Sequence, residues 1–397
     1  MVLVAGFALL VGWNFWLPTA RDLFHQPSGK SALPNVDFHA YVVAGGRFAR
    51  GENPYTWPAS GDGPERLSDF LYPPTFLPAY ALLARLPYDY ARTLWLGAYG
   101  LLHMAAMAAI AWRLPPEHRL TYAGLALGLS LTSFPLLFHI QLGQADVFVI
   151  CLVLFAYLAW VRGWQWPSAL CLALASLVKV SPAALLLAFV AYRRDGRYLA
   201  AYGLCMAGII ALSLVWVEPG LYRTYALEVL PAIAPGTSFW PNQSLLRYSG
   251  ALPVSGTALA ALGFATLTAF TLWLGAEPGA PRLDRRGWHA QGEAEAVLVL
   301  NLLAALLLAG YAWSTAYVWT ILTGALVLTV LIGAGAGVRV LAPVALGVVL
   351  MTAKIYGLPG LQTLNLLGNL LASAGLAAWL VQRRRARRMR SAAASAP

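Results

Sequence analysis

The chain has 397 residues, 59% of them hydrophobic and only 11% charged, with 27 basic against 16 acidic side chains and a formal charge of +11. A soluble domain puts roughly a quarter of its residues into charge, so a water-soluble enzyme, a DNA-binding module and a secreted scaffold are all excluded for the chain as a whole. It is a membrane protein, and the location of its positive charge argues against a nucleic-acid partner. Arg383, Arg384, Arg385, Arg387, Arg388 and Arg390 form one run after the apolar segment that ends near Val381, the pattern of a cytoplasmic anchor against anionic headgroups.

Residues 2–18 are apolar from the start and lack a positively charged lead-in, which predicts an uncleaved first membrane helix. Residues 19–72 then form a first extracytoplasmic loop holding six acids, Asp22, Asp37, Glu52, Asp62, Glu65 and Asp69. Within it, residues 34–44 predict a short amphipathic helix lying on the membrane surface. Phe38, Tyr41, Val42 and Phe48 recur at helical spacing and would sit in the headgroup boundary.

A helix needs roughly 20 residues to cross the hydrocarbon core. Good candidates are 92–112, 120–138, 145–161, 198–217, 256–276, 295–313, 317–334, 340–357 and 364–382. Two stretches fit less well. Residues 73–87 begin with Pro73 and Pro74 and make a helix only about 22 Å long, whereas 167–192 would run about 39 Å and contain Lys179 and Pro182. The expected fold is all-α and polytopic, with about 11 to 13 membrane helices once short or re-entrant ones are included. Residues 1–382 form a single polytopic domain, 218–255 a second long outer loop, and 383–397 a basic cytoplasmic tail.

Arginines orient the second half. Arg193, Arg194, Arg197, Arg282, Arg285, Arg286, Arg339 and the terminal run all fall on one side, the cytoplasmic one. The first half admits two topologies. If 73–87 only dips and 167–192 is a hairpin, Arg113, Arg119 and Arg162 lie inside and 139–146 outside; if each stretch crosses once, these invert. The hairpin is the cheaper choice, since a single crossing leaves Lys179 near mid-bilayer at roughly 2.5 to 3.5 kcal/mol. Cys151, Cys171 and Cys205 sit in apolar segments and give neither a disulfide framework nor a metal spacing.

Polar residues that could carry chemistry come in a definite order. Asp37 stands in the first turn of the surface helix, where it either complements the helix dipole or serves as a carboxylate able to take a proton from a hydroxyl. Gly51-Glu52-Asn53-Pro54-Tyr55 is a turn, and Tyr72-Pro73-Pro74 leads back into the bilayer. Gln141-Leu142-Gly143-Gln144-Ala145-Asp146, Lys179-Val180-Ser181-Pro182 and Trp240-Pro241-Asn242-Gln243-Ser244-Leu245 with Arg247 follow. Lys179 and Arg247 can meet a phosphate, or snorkel to the interface and pair with headgroups. Asn242 and Gln243 can bond sugar hydroxyls or cap the turn before Leu245. Gln144 has the same two readings, and Lys354 and Asn365 read as helix-packing residues.

The order of motifs resembles glycosyltransferase family 87, polytopic enzymes of the GT-C fold, over roughly residues 34–250. The resemblance implies transfer of a sugar from a polyprenyl-phosphate donor to a lipid or glycan hydroxyl on the extracytoplasmic face, with inversion. Mannose is the default sugar and arabinofuranose the rival. It further implies Asp37 as general base, Lys179 and Arg247 as partners of the donor phosphate, and Asn242, Gln243, Tyr72 and Gln144 as contacts of sugar or acceptor. No cofactor is implied, and the absence of an Asp-x-Asp pair around Asp37 predicts a metal-independent reaction. One segment departs from the family: Trp313-Ser314-Thr315-Ala316-Tyr317 lacks the Pro and His found there. This leaves open a divergent acceptor or a silent scaffold. A transporter or lipid flippase is the competing class, although the sequence shows no internal repeat of the kind transporters carry.

Overall fold

A computed structural model describes residues 36–56, 70–193, 196–235, 242–251, 255–275, 292–310, 312–353 and 363–394. The helix expected at 2–18, the acids Asp22, Asp62, Glu65 and Asp69, the dipeptide Trp240-Pro241 and Lys354 lie outside the described residues. The secondary structure is helical throughout the described residues, and their one β-type pairing is an isolated bridge between Asn242 and Trp313.

The helices are α1 (Val36–Ala49), α2 (Leu77–Ala84, entered through a 3-10 turn at Pro74–Phe76), α3 (Tyr88–Arg113), α4 (Pro116–Thr132) and α5 (Phe134–Leu142). Next come α6 (Asp146–Val161), α7 (Gln165–Val178), α8 (Leu185–Arg193), α9 (Gly196–Ser213), and the short α10 (Pro219–Thr224) and α11 (Leu230–Ile233). The remainder are α12 (Gly256–Gly275), α13 (Glu293–Leu308), α14 (Trp319–Gly333), α15 (Val338–Met351) and α16 (Leu364–Ala394). Helices α3, α9, α12, the 20-residue run Ser314–Gly333 that includes α14, and α16 are each long and apolar enough to cross a membrane. The pair α4 and α5, bent by 58°, makes a sixth. The bend falls at Ser133, whose Oγ accepts from the Leu136 N–H while Pro135 occupies the first turn, so one helix stops and another is capped within two residues.

Burial sorts the helices into a core and a lipid-facing rim. Almost every residue of α6, α13 and α14 is buried, whereas Leu101 on α3, Leu204 and Leu212 on α9 and Leu262 on α12 are exposed apolar side chains. Such exposure is stable only against lipid tails. Because α6 and α13 are enclosed by other helices, their 16-residue lengths need not match the hydrocarbon thickness.

Contacts at the helix ends decide the topology of the first half. Phe189 in α8 lies edge-to-face 5.0 Å from Trp160 near the end of α6 and 5.4 Å from Tyr198 at the start of α9, and Tyr198 meets Ser168 at the start of α7, whose hydroxyl also donates to Ala156. The ends of α6 and α8 and the starts of α7 and α9 therefore share one face, and residues 165–193 form a hairpin with Lys179 at its far tip. Pro182 explains the break, since it cannot donate to the helix and its ring would clash with the carbonyl of residue 178. Residues 73–87 likewise begin and end on a single face: Tyr41 donates to Tyr72 at one end, and Phe38 lies 5.6 Å from Tyr88 at the other. They dip and return.

The surface-helix expectation for α1 needs a correction. Phe38 and Tyr41 do not face headgroups; both are fully buried, and Tyr41 stacks 5.2 Å from Tyr80 with Trp95 and Tyr72 around it. The re-entrant α2 covers this face, a tertiary partner that local periodicity cannot reveal. The close approach depends on Gly45, where a Cβ would stand 2.3 Å from the Tyr80 backbone carbon. Gly45→Ala is expected to destabilise the protein by about 1–3 kcal/mol through this overlap, read as a fall in melting temperature. An unchanged melting curve would contradict the contact.

On the opposite face, α16 runs unbroken through the terminal arginines. Arg387 bonds Glu293 at the start of α13, with Arg383 at 3.8 Å from the same carboxylate, and Tyr157 donates to the buried Glu295. The arginine run thus ties the last helix to the bundle as well as presenting charge at the surface.

Candidate active site

Four chain segments meet where α5 turns into α6. Gly143 ends α5 with φ +71°, a left-handed conformation suited to glycine, and its carbonyl accepts from the Trp95 indole at 2.9 Å. This turn aims Gln144 at α1, where its Nε2 donates to Asp37 Oδ2 at 2.6 Å. Two residues on, Asp146 opens α6 with its side chain fully buried, and Lys179 Nζ reaches both of its carboxylate oxygens at 2.9 Å. Each charge also suits its helix terminus, the carboxylate at the start of α6 and the ammonium at the end of α7.

Asp37, Gln144 and Lys179 border one cavity of about 650 Å³, with Asp146 buried behind the lysine. Its lining includes the polar residues Asp37, Tyr41, Tyr72, Gln144, Lys179, Ser181 and Thr315, and it is otherwise mostly apolar, with Leu186, Leu187, Ile233, Ala260, Phe264 and Leu308 among its walls. Burial, and after it the Asp37 and Asp146 carboxylates, hold the Tyr72 phenol well above its usual range. Tyr72 is a neutral hydroxyl that accepts from Tyr41 at 2.8 Å and keeps its own proton to donate.

Of the residues singled out from the sequence, Asp37, Lys179, Tyr72 and Gln144 are brought together, which the hairpin topology allows and the single-crossing alternative forbids. Asn242 and Gln243 are placed otherwise. Both are fully buried and border no part of the cavity. Asn242 donates to the Gly310 carbonyl at 2.9 Å and accepts from Ala312 N–H at 3.1 Å. Gln243 pairs with the Ala312 carbonyl, with the Tyr317 hydroxyl and with the N–H of Leu366. They brace the segment that delivers Gly310, Trp313 and Thr315 to the cavity wall, so their link to the site is indirect. Arg247 is also away from the lining, with its guanidinium 5.5 Å from the Tyr248 ring. Glu52 is an exposed partner of Arg50, and Asn365 caps the end of α15 by donating to Leu350, Met351 and Ala353.

Sequence reading gave no site role to Tyr41, Ser181, Trp313 or Thr315, and did not find the pairing of Asp146 with Lys179. The last carried a usable signal. An acid that opens an otherwise apolar helix needs a cation, and Lys179, one of three lysines in the chain, was the cation within the first half's apolar segments.

Fold and site together define a polytopic, all-α membrane protein with a charged, half-apolar cavity near one face. The sequence pattern of glycosyltransferase family 87 matches residues 70–331, well over half of the chain, and the protein belongs to that family. Among solved structures, the crystal structure of ArnT from Cupriavidus metallidurans bound to undecaprenyl phosphate aligns with 96% of this chain and 77% of its own at 15% identity. The TM-score is 0.34, too loose for shared geometry to be read from it. No curated protein matches the chain.

Proposed function

We propose that the protein transfers a glycosyl group from a polyprenyl-phosphate donor to a hydroxyl of a lipid or glycan acceptor, with Asp37 as general base and Lys179 beside the leaving phosphate. The observation that supports this reading is the joint presence of Asp37 and Lys179 in the lining of one cavity whose walls are mostly apolar. An oxygen of the acceptor attacks the anomeric carbon and gives its proton to Asp37. The bond from that carbon to the phosphate oxygen breaks with its electron pair, so the phosphate departs with one more negative charge. Such a reaction needs a base on one side of the sugar and a fixed positive charge on the other. Lys179 spends two donors on Asp146 and has a third for the phosphate.

The walls formed by Leu186, Leu187, Phe264 and Leu308 suit the first units of a lipid chain. A single displacement inverts the anomeric centre. The positive-inside rule puts the arginine-rich face in the cytoplasm and the Asp37 face outside. Mannose remains the expected sugar and arabinofuranose the rival, both on the strength of the family.

The test of donor class uses purified protein in liposomes with labelled polyprenyl-phosphate mannose, polyprenyl-phosphate arabinofuranose and GDP-mannose. Label should pass from a lipid-linked donor and not from the nucleotide sugar; transfer from GDP-mannose alone would overturn the reading. The reaction is expected to proceed unchanged in excess EDTA, since positive charge at the phosphate comes from Lys179. Loss of transfer restored by added magnesium would contradict this.

A further inference from the structure

Helices α10 and α11 are joined by a π turn at Tyr225–Val229, so the chain is helical without a break from Pro219 to Ile233. Pro231 accounts for the turn. It has no N–H for the Leu227 carbonyl, and its ring would crowd that oxygen; the widened turn, in which the Leu230 N–H reaches back five residues to the Tyr225 carbonyl, relieves the clash. One side of the run, at Tyr225, Leu230, Ile233 and Ala234, lines the cavity. The other, at Leu227, Glu228, Pro231 and Ala232, is exposed. This one helical layer is therefore both a cavity wall and part of the outer surface.

The two halves of the run are held differently. Before the turn, the Tyr222 hydroxyl meets Thr75 Oγ1 at 3.0 Å and Ser213 Oγ at 2.6 Å, which ties it to the re-entrant segment and to the end of α9. Tyr225 adds its ring, 6.1 Å from that of Tyr55. After the turn the sequence is Leu230-Pro231-Ala232-Ile233-Ala234, in which no side chain can form a hydrogen bond. This half lies against Gly310, where a Cβ would stand 2.4 Å from the Ile233 carbonyl oxygen and 2.8 Å from that of Ala234. Gly310 is itself fixed, since its carbonyl accepts from Asn242. Ala309 and Gly310 line the cavity as Ile233 and Ala234 do, so the contact between them is a seam in the cavity wall.

We propose that residues 230–234 are a lid that swings about the π turn and parts from Gly310 to admit substrate, while Tyr222 keeps the first half of the run in place. The lid deepens the proposed function by naming the entrance to its site, and rests on that function for the identity of what enters. Its movement requires no turnover.

Gly310→Ala should wedge the seam. The atoms that a Cβ meets there belong to the backbone and cannot rotate aside, and Gly310 does not have the left-handed φ that would strain an alanine by itself. The test introduces Ala183→Cys in the cavity lining of a chain whose Cys151, Cys171 and Cys205 are replaced by alanine. It times the reaction of that thiol with a charged, water-soluble methanethiosulfonate, on protein in nanodiscs. Labelling through a lid scales with the population of its open state, and Gly310→Ala should speed it about tenfold. A second measurement needs no wedge. A spin label at the exposed Ala232, past the turn, should show two distances to a label at the exposed Leu101 on α3, whereas one at the exposed Arg223, before the turn, should show a single distance. The proposal is overturned if folded Gly310→Ala is labelled at the wild-type rate, or if the distances from Ala232 are as narrowly distributed as those from Arg223. Absence of sugar transfer alongside both expected results would instead count against the proposed function and leave the lid standing.

Discussion

Asp37→Asn is expected to lower sugar transfer by about 10³-fold while leaving the protein folded, because general base catalysis contributes roughly 10²–10⁴. The substitution is nearly isosteric, and an amide can still meet Gln144 after that side chain turns its carbonyl end toward it. Melting temperature and donor binding should therefore stay close to wild type, and the loss should fall on turnover. A purely structural role for Asp37 at the start of α1 would produce the reverse, a fall in stability with activity lost only in proportion to unfolded protein. Comparing the turnover of folded protein with its melting curve separates the two.

Lys179→Met is expected to carry two effects that a second substitution pulls apart. It removes positive charge from the phosphate side of the site, which should cost about 10²–10³-fold in turnover, the scale on which a preorganised charge-stabilising group acts. It also leaves Asp146 buried and unpaired. Breaking a buried pair costs roughly 3–5 kcal/mol, and the lower end applies because the Lys179 side chain is 25% exposed. Adding Asp146→Asn should return most of that stability, since replacing both charges is often nearly neutral. It should return none of the activity. If the double variant regains transfer, Lys179 serves only to neutralise Asp146, and the phosphate must find its cation elsewhere.

The membrane class and the hairpin at Lys179 were legible because they follow from local rules, apolar run length and the cost of a lysine in hydrocarbon, whereas 145–161, 295–313 and 340–357, expected to span, are helices of 16, 16 and 14 residues. Lys179 stood out for a related reason, as an ionisable residue in an apolar segment, whereas Asp37, which the helix dipole alone would explain, was singled out through the family resemblance of its loop. What escaped depends on partners distant in sequence. Asn242-Gln243-Ser244 has the composition of a solvated sugar-binding loop, yet the side chains of Asn242 and Gln243 are spent on Gly310, Ala312 and Leu366, some 68 to 123 positions away. Phe38 and Tyr41 have the spacing of a headgroup-facing stripe, and only the return of the chain at Tyr80 makes them core. Thr315 drew notice through what its segment lacks compared with the family. Its place in the cavity lining emerges only when the packing of that turn on α5 is known.

The central claim is that Asp37 acts as the base for sugar transfer in the cavity it shares with Lys179. The most direct measurement is single-turnover transfer from labelled polyprenyl-phosphate mannose by purified wild-type and Asp37→Asn protein, with bound donor quantified in the same samples. The account predicts equal donor occupancy and a rate lower by about 10³-fold in the variant. Equal occupancy with an unchanged rate would contradict it.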